Sequence, residues 1–331
     1  MTESRLSDEE DVNVLVSFDL PDWYIENIRS VSPRIKVTQS NDRKELVRLI
    51  EYIDVLFAGR FSREMFAAAK KLKWIQTNYV GVEYFLLPEV VKSDVVITNA
   101  SGVNSVPVAE HVMALMLCLT RKLHWYLRNQ SRKQWKTNDL DLILNMEELS
   151  GKTVGIVGIG NIGTEIASRA KCLGMKIIGT RKNVSAPKPE CVDELIPMDN
   201  LKELFAQSDF VVLQLPLTKE TTGIIGEPEI TAMKRTAYLI NTGRGLVIQE
   251  DRLIQALKDG RIAGAALDTF VKEPLPQDSP LWEMENVVIT PHVAGLTPLY
   301  GDRLVKLFCE NLKKYVNKEP LINVIDKSRG Y

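Results

Sequence analysis

The chain has 331 residues, 45% apolar and 26% charged, which is ordinary for a globular protein and long enough for two domains. A formal net charge of −1 excludes bulk electrostatic attraction to nucleic acid or to an anionic membrane. Residues 1–11 are polar and acidic and lack the basic and apolar regions of a secretory signal. The longest apolar stretch, 106–119, carries Glu110 and His111 and is too short and too polar to span a bilayer. Cys118, Cys172, Cys191 and Cys309 are scattered, without CxxC or metal-type spacing, so no metal is expected and a reducing cytosol fits. Of these, Cys118, Cys172 and Cys309 fall on apparent helices and read as small buried hydrophobes.

Taken in chain order, strand patterns lie at 12–18, 35–38, 55–58, 73–77 and 95–98, with helix patterns between them, among them 42–52 and 62–71. This alternation predicts a small parallel α/β domain. A long helix follows from about Ser105, with Pro107 in its first turn, where a missing N–H costs nothing. The polar stretch 128–138 reads as an arm or linker. From Gly151 onwards, six strands (153–157, 176–179, 210–215, 237–241, 262–267 and 287–290) alternate with helices that include 161–173, 199–206 and 249–259. Gly260 closes the last of these at the C′ position. Such a rhythm matches a doubly wound nucleotide-binding sheet. The final helix, 298–316, places Leu304, Leu307 or Phe308, Leu312 and Tyr315 or Val316 on one stripe. Its return to the first domain would make that domain discontinuous.

Gly158, Gly160 and Gly163 form GxGxxG directly after an apolar strand and at the start of a helix. Gly158 allows the tight turn, Gly160 lets a pyrophosphate approach the backbone, and Gly163 lets the helix pack closely on the strand. The helix N-terminus adds N–H donors and positive partial charge. At the end of the second strand, where NAD-binding sheets place an acid for the ribose 2′-OH, the chain reads Thr180, Arg181, Lys182. Two cations and a hydroxyl suit a 2′-phosphate, so NADP is expected in preference to NAD.

A general acid working near neutral pH is most often histidine, and the chain has three: His111, His124 and His292. His292 follows the sixth strand, at the carboxyl end where α/β sheets bind ligands. His111 and His124 sit mid-helix and read as packed or surface residues.

On these segments the sequence resembles the D-isomer-specific 2-hydroxyacid dehydrogenase family. The matching stretches are GKTVGIVGIGNIG (151–163), LPLTKETTGIIG (215–226), INTGRG (240–245), GAALDTFVKEP (264–274) and TPHVAG (290–295). Residues 78–82 and 98–111 are similar to the family's substrate loop and hinge helix. The resemblance implies a two-domain α/β fold. A Rossmann-type doubly wound dinucleotide-binding domain, 103–295, would be inserted into a smaller flavodoxin-like substrate domain, 1–102 plus 296–331. It implies an NAD(P)-dependent 2-oxo acid reductase, or D-2-hydroxyacid dehydrogenase, with glyoxylate, hydroxypyruvate or a bulkier 2-oxo acid as substrate. Arg244 would bind the substrate carboxylate, His292 would donate a proton to the developing alkoxide, and Glu273 would pair with His292, favouring imidazolium and fixing its ring.

Backbone N–H groups at Val80 and Gly81 resemble the family's carboxylate cradle. Asp268 would accept a bond from the nicotinamide carboxamide; the other reading makes it a helix or turn cap. Thr242 and Gly243 would line the cofactor. The resemblance extends the cofactor set to Asn161, Ile162, Pro216, Thr221, Gly295 and His292 itself. It also implies a homodimer formed through the hinge helix and an arm over 128–144. The competing expectation, from another functional class, is a cofactor-sensing binding protein on the same fold, like the corepressors built on it. Formate or phosphite oxidation is disfavoured, because those relatives resemble NAD users.

Overall fold

The computed structural model describes residues 10–136, 146–182 and 187–330. They divide into two compact units, one reaching Val103 and resuming at Pro298, the other Asn104–Thr297. Part of the arm expected over 128–144 lies outside the described residues.

The first unit opens β1 (Val12–Val16), α1 (Asp22–Arg29), β2 (Ile35–Gln39), α2 (Arg43–Leu49), β3 (Val55–Ala58), α3 (Arg63–Ala68), β4 (Trp74–Thr77), α4 (Pro88–Val91), β5 (Val96–Thr98). Every strand pair is parallel, in the order β2-β1-β3-β4-β5. All residues of β3 and β4 are buried, as expected of a parallel sheet covered on both faces. Side-chain caps start two of the helices: Asp42 accepts from the Glu45 N–H and Ser62 from the Met65 N–H. The helix expected over 42–52 ends as an α-helix at Leu49, and its last turn tightens to 3₁₀ over Ile50–Tyr52.

The second unit begins with α5 (Ser105–Thr120) and α6 (Leu123–Ser131). It continues with β6 (Thr153–Val157), α7 (Asn161–Cys172), β7 (Lys176–Thr180), β8 (Glu194–Leu195), α8 (Leu201–Gln207), β9 (Phe210–Leu213) and α9 (Glu227–Ala232). The remaining elements are β10 (Tyr238–Asn241), α10 (Glu250–Lys258), β11 (Gly264–Leu267) and β12 (Val287–Ile289). The parallel sheet runs β12-β11-β10-β9-β6-β7-β8, the doubly wound order with its reversal between β6 and β9. Six strands were expected here and seven are present among the described residues. The addition, β8, is a two-residue edge strand on β7, too short to carry an alternating pattern.

Helix α5 is apolar around most of its circumference and lies in the core, where Val112, Met116 and Leu119 join Val154, Ile156, Ile166 and Ile240. Cys172, expected buried, is exposed, because it falls off the inward stripe Ile166–Ala167–Ala170 of α7. Cys118 and Cys309 are partly buried, and burial pushes the Cys309 thiol up to about 11. Among the described residues no helix is long and apolar enough to cross a membrane.

After the second unit, α11 (Tyr300–Val316) belongs to the first. Its stripe resolves to Leu304, Val305, Phe308 and Leu312 as buried residues, with Leu307, Tyr315 and Val316 packed at the margin. Phe308 stacks on Phe57 at 4.1 Å and on Trp74 at 5.4 Å between ring centroids. Removing that ring leaves a cavity against two strands. Phe308→Ala is therefore expected to cost about 3–5 kcal/mol. Denaturant unfolding of the full chain should show the loss in the transition of the first unit, with the second unit's transition unmoved.

Candidate active site

Parallel strands in one sheet deliver all their carboxyl ends to the same edge, so the loops after β6, β7, β9, β10, β11 and β12 gather there. The glycine loop follows β6. The N–H groups of Gly158 and Ile159 donate to the Thr180 carbonyl at 3.2 and 2.7 Å, tying the loop to the end of β7. Gly158 has φ +111°, and a Cβ there would stand 2.6 Å from the Gln214 carbonyl oxygen. At Gly163 a Cβ would stand 2.3 Å from the Gly158 oxygen. Around Gly160, by contrast, a Cβ would meet nothing within 4 Å. That open space fronts the first turn of a twelve-residue helix, at its positive end. Two glycines are thus demanded by close packing and the third leaves room for a ligand, an arrangement that fits a dinucleotide pyrophosphate.

The end of β7 partly corrects the sequence reading. Thr180 is 0% exposed and its hydroxyl lies 2.9 Å from the Met198 sulfur, so it does not join Arg181 and Lys182 as a phosphate donor. Strand β7 is buried from Ile177 onwards, which turns the hydroxyl into the core. Arg181 donates to the Pro187 carbonyl at 3.1 Å. The Lys182 charge is felt by Glu220, whose carboxyl is held below the usual range chiefly by the Thr218 hydroxyl. No acid occupies positions 180–182; residues 183–186 lie outside the described set.

After β9, Gln214 bonds the Thr242 hydroxyl. The Thr221 hydroxyl donates to the Pro216 carbonyl at 2.7 Å and accepts from the Thr218 N–H at 2.8 Å, so it staples its own loop. After β10, Asn241 fixes the turn that presents Arg244. Its Oδ1 accepts from the Gly243 N–H at 3.1 Å and its Nδ2 donates to the Arg244 carbonyl at 3.0 Å. The Arg244 guanidinium, partly buried, donates to the Gly243 carbonyl at 3.0 Å. Gly245 lies against the Phe270 carbonyl, where a Cβ would come within 2.0 Å.

Asp268 directly follows β11 and is 1% exposed. Its Oδ1 accepts from the Thr290 hydroxyl at 2.6 Å and the Val293 N–H at 2.9 Å, and its Oδ2 from the Ala294 N–H at 3.0 Å. Its backbone carbonyl accepts the His292 N–H at 2.8 Å. These bonds satisfy the turn-cap reading of Asp268, and Oδ2 accepts only one of them.

That loop carries His292 at φ +54°, a conformation that non-glycine residues adopt only when their surroundings impose it. The imidazole Nδ1 is 2.8 Å from Glu273 Oε2, while Glu273 Oε1 accepts the Phe270 N–H at 3.0 Å. With the side chain 51% exposed and Nδ1 engaged, Nε2 is the ring nitrogen left for proton transfer. Gly295 abuts Asn104, whose Nδ2 would be 2.8 Å from a Cβ there.

Sequence reading missed one member of this group. His111, expected to be an ordinary packed or surface residue of α5, places Nε2 3.0 Å from the Thr290 hydroxyl and 3.9 Å from Asp268 Oδ1. Its only sequence signal was its place in the hinge-helix segment; that α5 lies beside the ends of β11 and β12 is a tertiary fact. His124 is the plain case. Burial holds its imidazole below the usual range, and Nδ1 meets the Cys118 carbonyl at 3.2 Å.

Val80 and Gly81 belong to the first unit, in the loop after β4. The neighbouring carbonyls are all engaged: Asn78 by the Tyr300 hydroxyl at 2.7 Å, Tyr79 by the Ala100 N–H at 3.0 Å, and Val80 by Asn99 Nδ2 at 2.7 Å. Burial pushes the Tyr300 phenol up to about 12, so it stays a donor at neutral pH. Among the described residues no three His, Cys, Asp or Glu side chains converge as a metal group.

Residues 113–294 match the NAD binding domain of the D-isomer specific 2-hydroxyacid dehydrogenases. A glyoxylate reductase of Thermofilum pendens is 39% identical over 277 residues, covering 82% of this chain and 80% of the relative. Among solved structures, a D-isomer specific 2-hydroxyacid dehydrogenase family protein from Aeromonas salmonicida superposes with a TM-score of 0.82 at 30% identity, covering 96% of this chain and all of that one. An NADPH-dependent glyoxylate/hydroxypyruvate reductase from Sinorhizobium meliloti, in complex with NADP and sulfate, gives 0.81 at 27% identity, covering 97% and 100%.

Because the Gly163 Cβ would overlap the Gly158 oxygen, Gly163→Val should push α7 off its strand. Dinucleotide affinity is expected to fall roughly tenfold or more, about 1.4 kcal/mol per decade, by calorimetry on a chain that remains folded by circular dichroism.

Proposed function

The chain belongs to the D-isomer specific 2-hydroxyacid dehydrogenase family and is an NAD(P)-dependent enzyme of that class; from that premise we propose that it reduces a small 2-oxo acid, glyoxylate or hydroxypyruvate first, with NADPH preferred. The observation that carries the reading is His292, held at a strained turn with Nδ1 on Glu273 and Nε2 left for chemistry, on the same sheet edge as the glycine loop. The relatives named for glyoxylate reduction support the substrate class, and the Sinorhizobium meliloti enzyme with bound NADP supports the cofactor.

When bound, a reduced nicotinamide would supply the hydride that the oxo carbon accepts. Arg244 grips the substrate carboxylate, its planar fork matching paired oxygens, and polarises the oxo group. His292 gives its Nε2 proton to the oxygen as that oxygen becomes a hydroxyl, while Glu273 keeps the ring oriented. The helix start at Asn161, Ile162 and Gly163 would hold the pyrophosphate, and Thr242, Gly243, Pro216 and Gly295 would line the rest of the cofactor. Arg181 and Lys182 select the 2′-phosphate through charge-assisted bonds. Leu117, Leu123, Leu127 and Trp135 are exposed on and after α5 and α6, which supports a second copy of the chain as partner.

The deciding experiment follows the absorbance of NADPH, and separately NADH, with 2-oxo acids from glyoxylate to phenylpyruvate. Oxidation with at least one acid supports the reductase and ranks cofactor and substrate. Measurable dinucleotide binding with no turnover on any acid would instead favour a cofactor-sensing binding protein. His292→Ala and Arg244→Ala should each lower kcat/KM by about 10²–10⁴-fold while dinucleotide affinity is retained. Near-wild-type turnover in either variant would refute these roles. Arg181→Asp should move preference toward NADH, and an unchanged NADPH:NADH ratio of kcat/KM would sink the 2′-phosphate argument.

A further inference from the structure

Three groups along one line share two protons whose places can be deduced. The Thr290 hydroxyl has a single hydrogen, and at 2.6 Å from Asp268 Oδ1, an acceptor, it donates there. The Thr290 oxygen must then accept from His111 Nε2 at 3.0 Å, so Nε2 carries hydrogen. The relay runs His111 to Thr290 to Asp268, and Asp268 also receives the N–H groups of Val293 and Ala294 and, on its backbone, that of His292. Helix α5 reaches the same loop a second time, because Asn104, immediately before its first turn, bears on Gly295. The two contacts bracket His292, whose φ of +54° has to be imposed by its surroundings.

We propose that His111 is a positioning residue for the reaction: through Thr290 and Asp268 it fixes the turn that aims the His292 imidazole, without touching substrate or cofactor itself. The inference rests on the reading of His292 as proton donor. A merely packed His111 would be replaceable by any side chain of similar volume. A positioning His111 is replaceable only by one that donates a hydrogen bond at the same reach, which glutamine does and phenylalanine does not.

The chain has three histidines, so long-range ¹H–¹⁵N NMR of the imidazoles resolves each, and it needs no turnover. In the wild type at neutral pH, His111 should be protonated at Nε2; a His111 carrying hydrogen on Nδ1 alone overturns the relay. His111→Phe should move the His292 resonances, leave those of His124 in place, and lower kcat by about tenfold or more with dinucleotide affinity unchanged. His111→Gln should restore both the His292 resonances and most of kcat. Equal behaviour of the two variants, or an unmoved His292 signal in His111→Phe, overturns the proposal. If the wild type turns over no 2-oxo acid, the proposed function fails, while the tautomer and the His292 signals still decide the role of His111.

Discussion

A buried carboxylate needs hydrogen-bond donors, and at Asp268 three of them come from the loop that carries His292. A buried donor or acceptor left without a partner costs about 1–3 kcal/mol, so the Thr290 hydroxyl and the two amides cannot leave Asp268 cheaply. The His292 N–H is committed to the same residue's backbone carbonyl. One side chain at the end of β11 therefore dictates the path of residues 290–294, and with it a backbone conformation that an isolated His would avoid.

Two carboxylates divide the task of holding one histidine. Asp268 fixes the backbone beneath it, and Glu273 fixes the ring through Nδ1. Glu273 is itself held by the Phe270 N–H, in a segment pressed against Gly245, so the turn bearing Arg244 and the turn bearing Glu273 are packed on one another. Side chains set in the strand ends thus determine where the chemistry-bearing groups lie, and loop flexibility is removed by hydrogen bonds to buried residues.

The same edge of the sheet has a second half with a different character. Around the glycine loop, close backbone approach decides everything: Gly158 against Gln214, Gly163 against Gly158, and open space only at Gly160. The glycine-loop half offers backbone donors and a helix terminus; the other half offers side chains held in fixed orientation. A doubly wound sheet supplies both because its strand order reverses between β6 and β9, separating the two halves while keeping their loops on one side.

The strand–glycine–helix unit of residues 153–172 was legible in the sequence because its determinants are local: strand periodicity, glycine spacing and a helix start all fall within about twenty residues. The same holds for the alternation of strands and helices, and for His292 and Arg244, which sit where strand ends place them. Local pattern failed where burial and partners are set by distant chain. The Thr180 hydroxyl read as a phosphate donor until strand β7 proved buried around it. The three donors that surround Asp268 come from a loop more than twenty residues away, so their convergence had no local signal. His111 looked like an ordinary helical histidine, since its partner Thr290 lies 179 positions further on. Sequence alone determined the sheet, the phosphate turn and the place of His292 after the last strand, because propensity and spacing act over a few residues. The orientation of that residue was decided only when α5 packed beside the ends of β11 and β12, because a hydrogen bond is a matter of position and position is set by the whole fold.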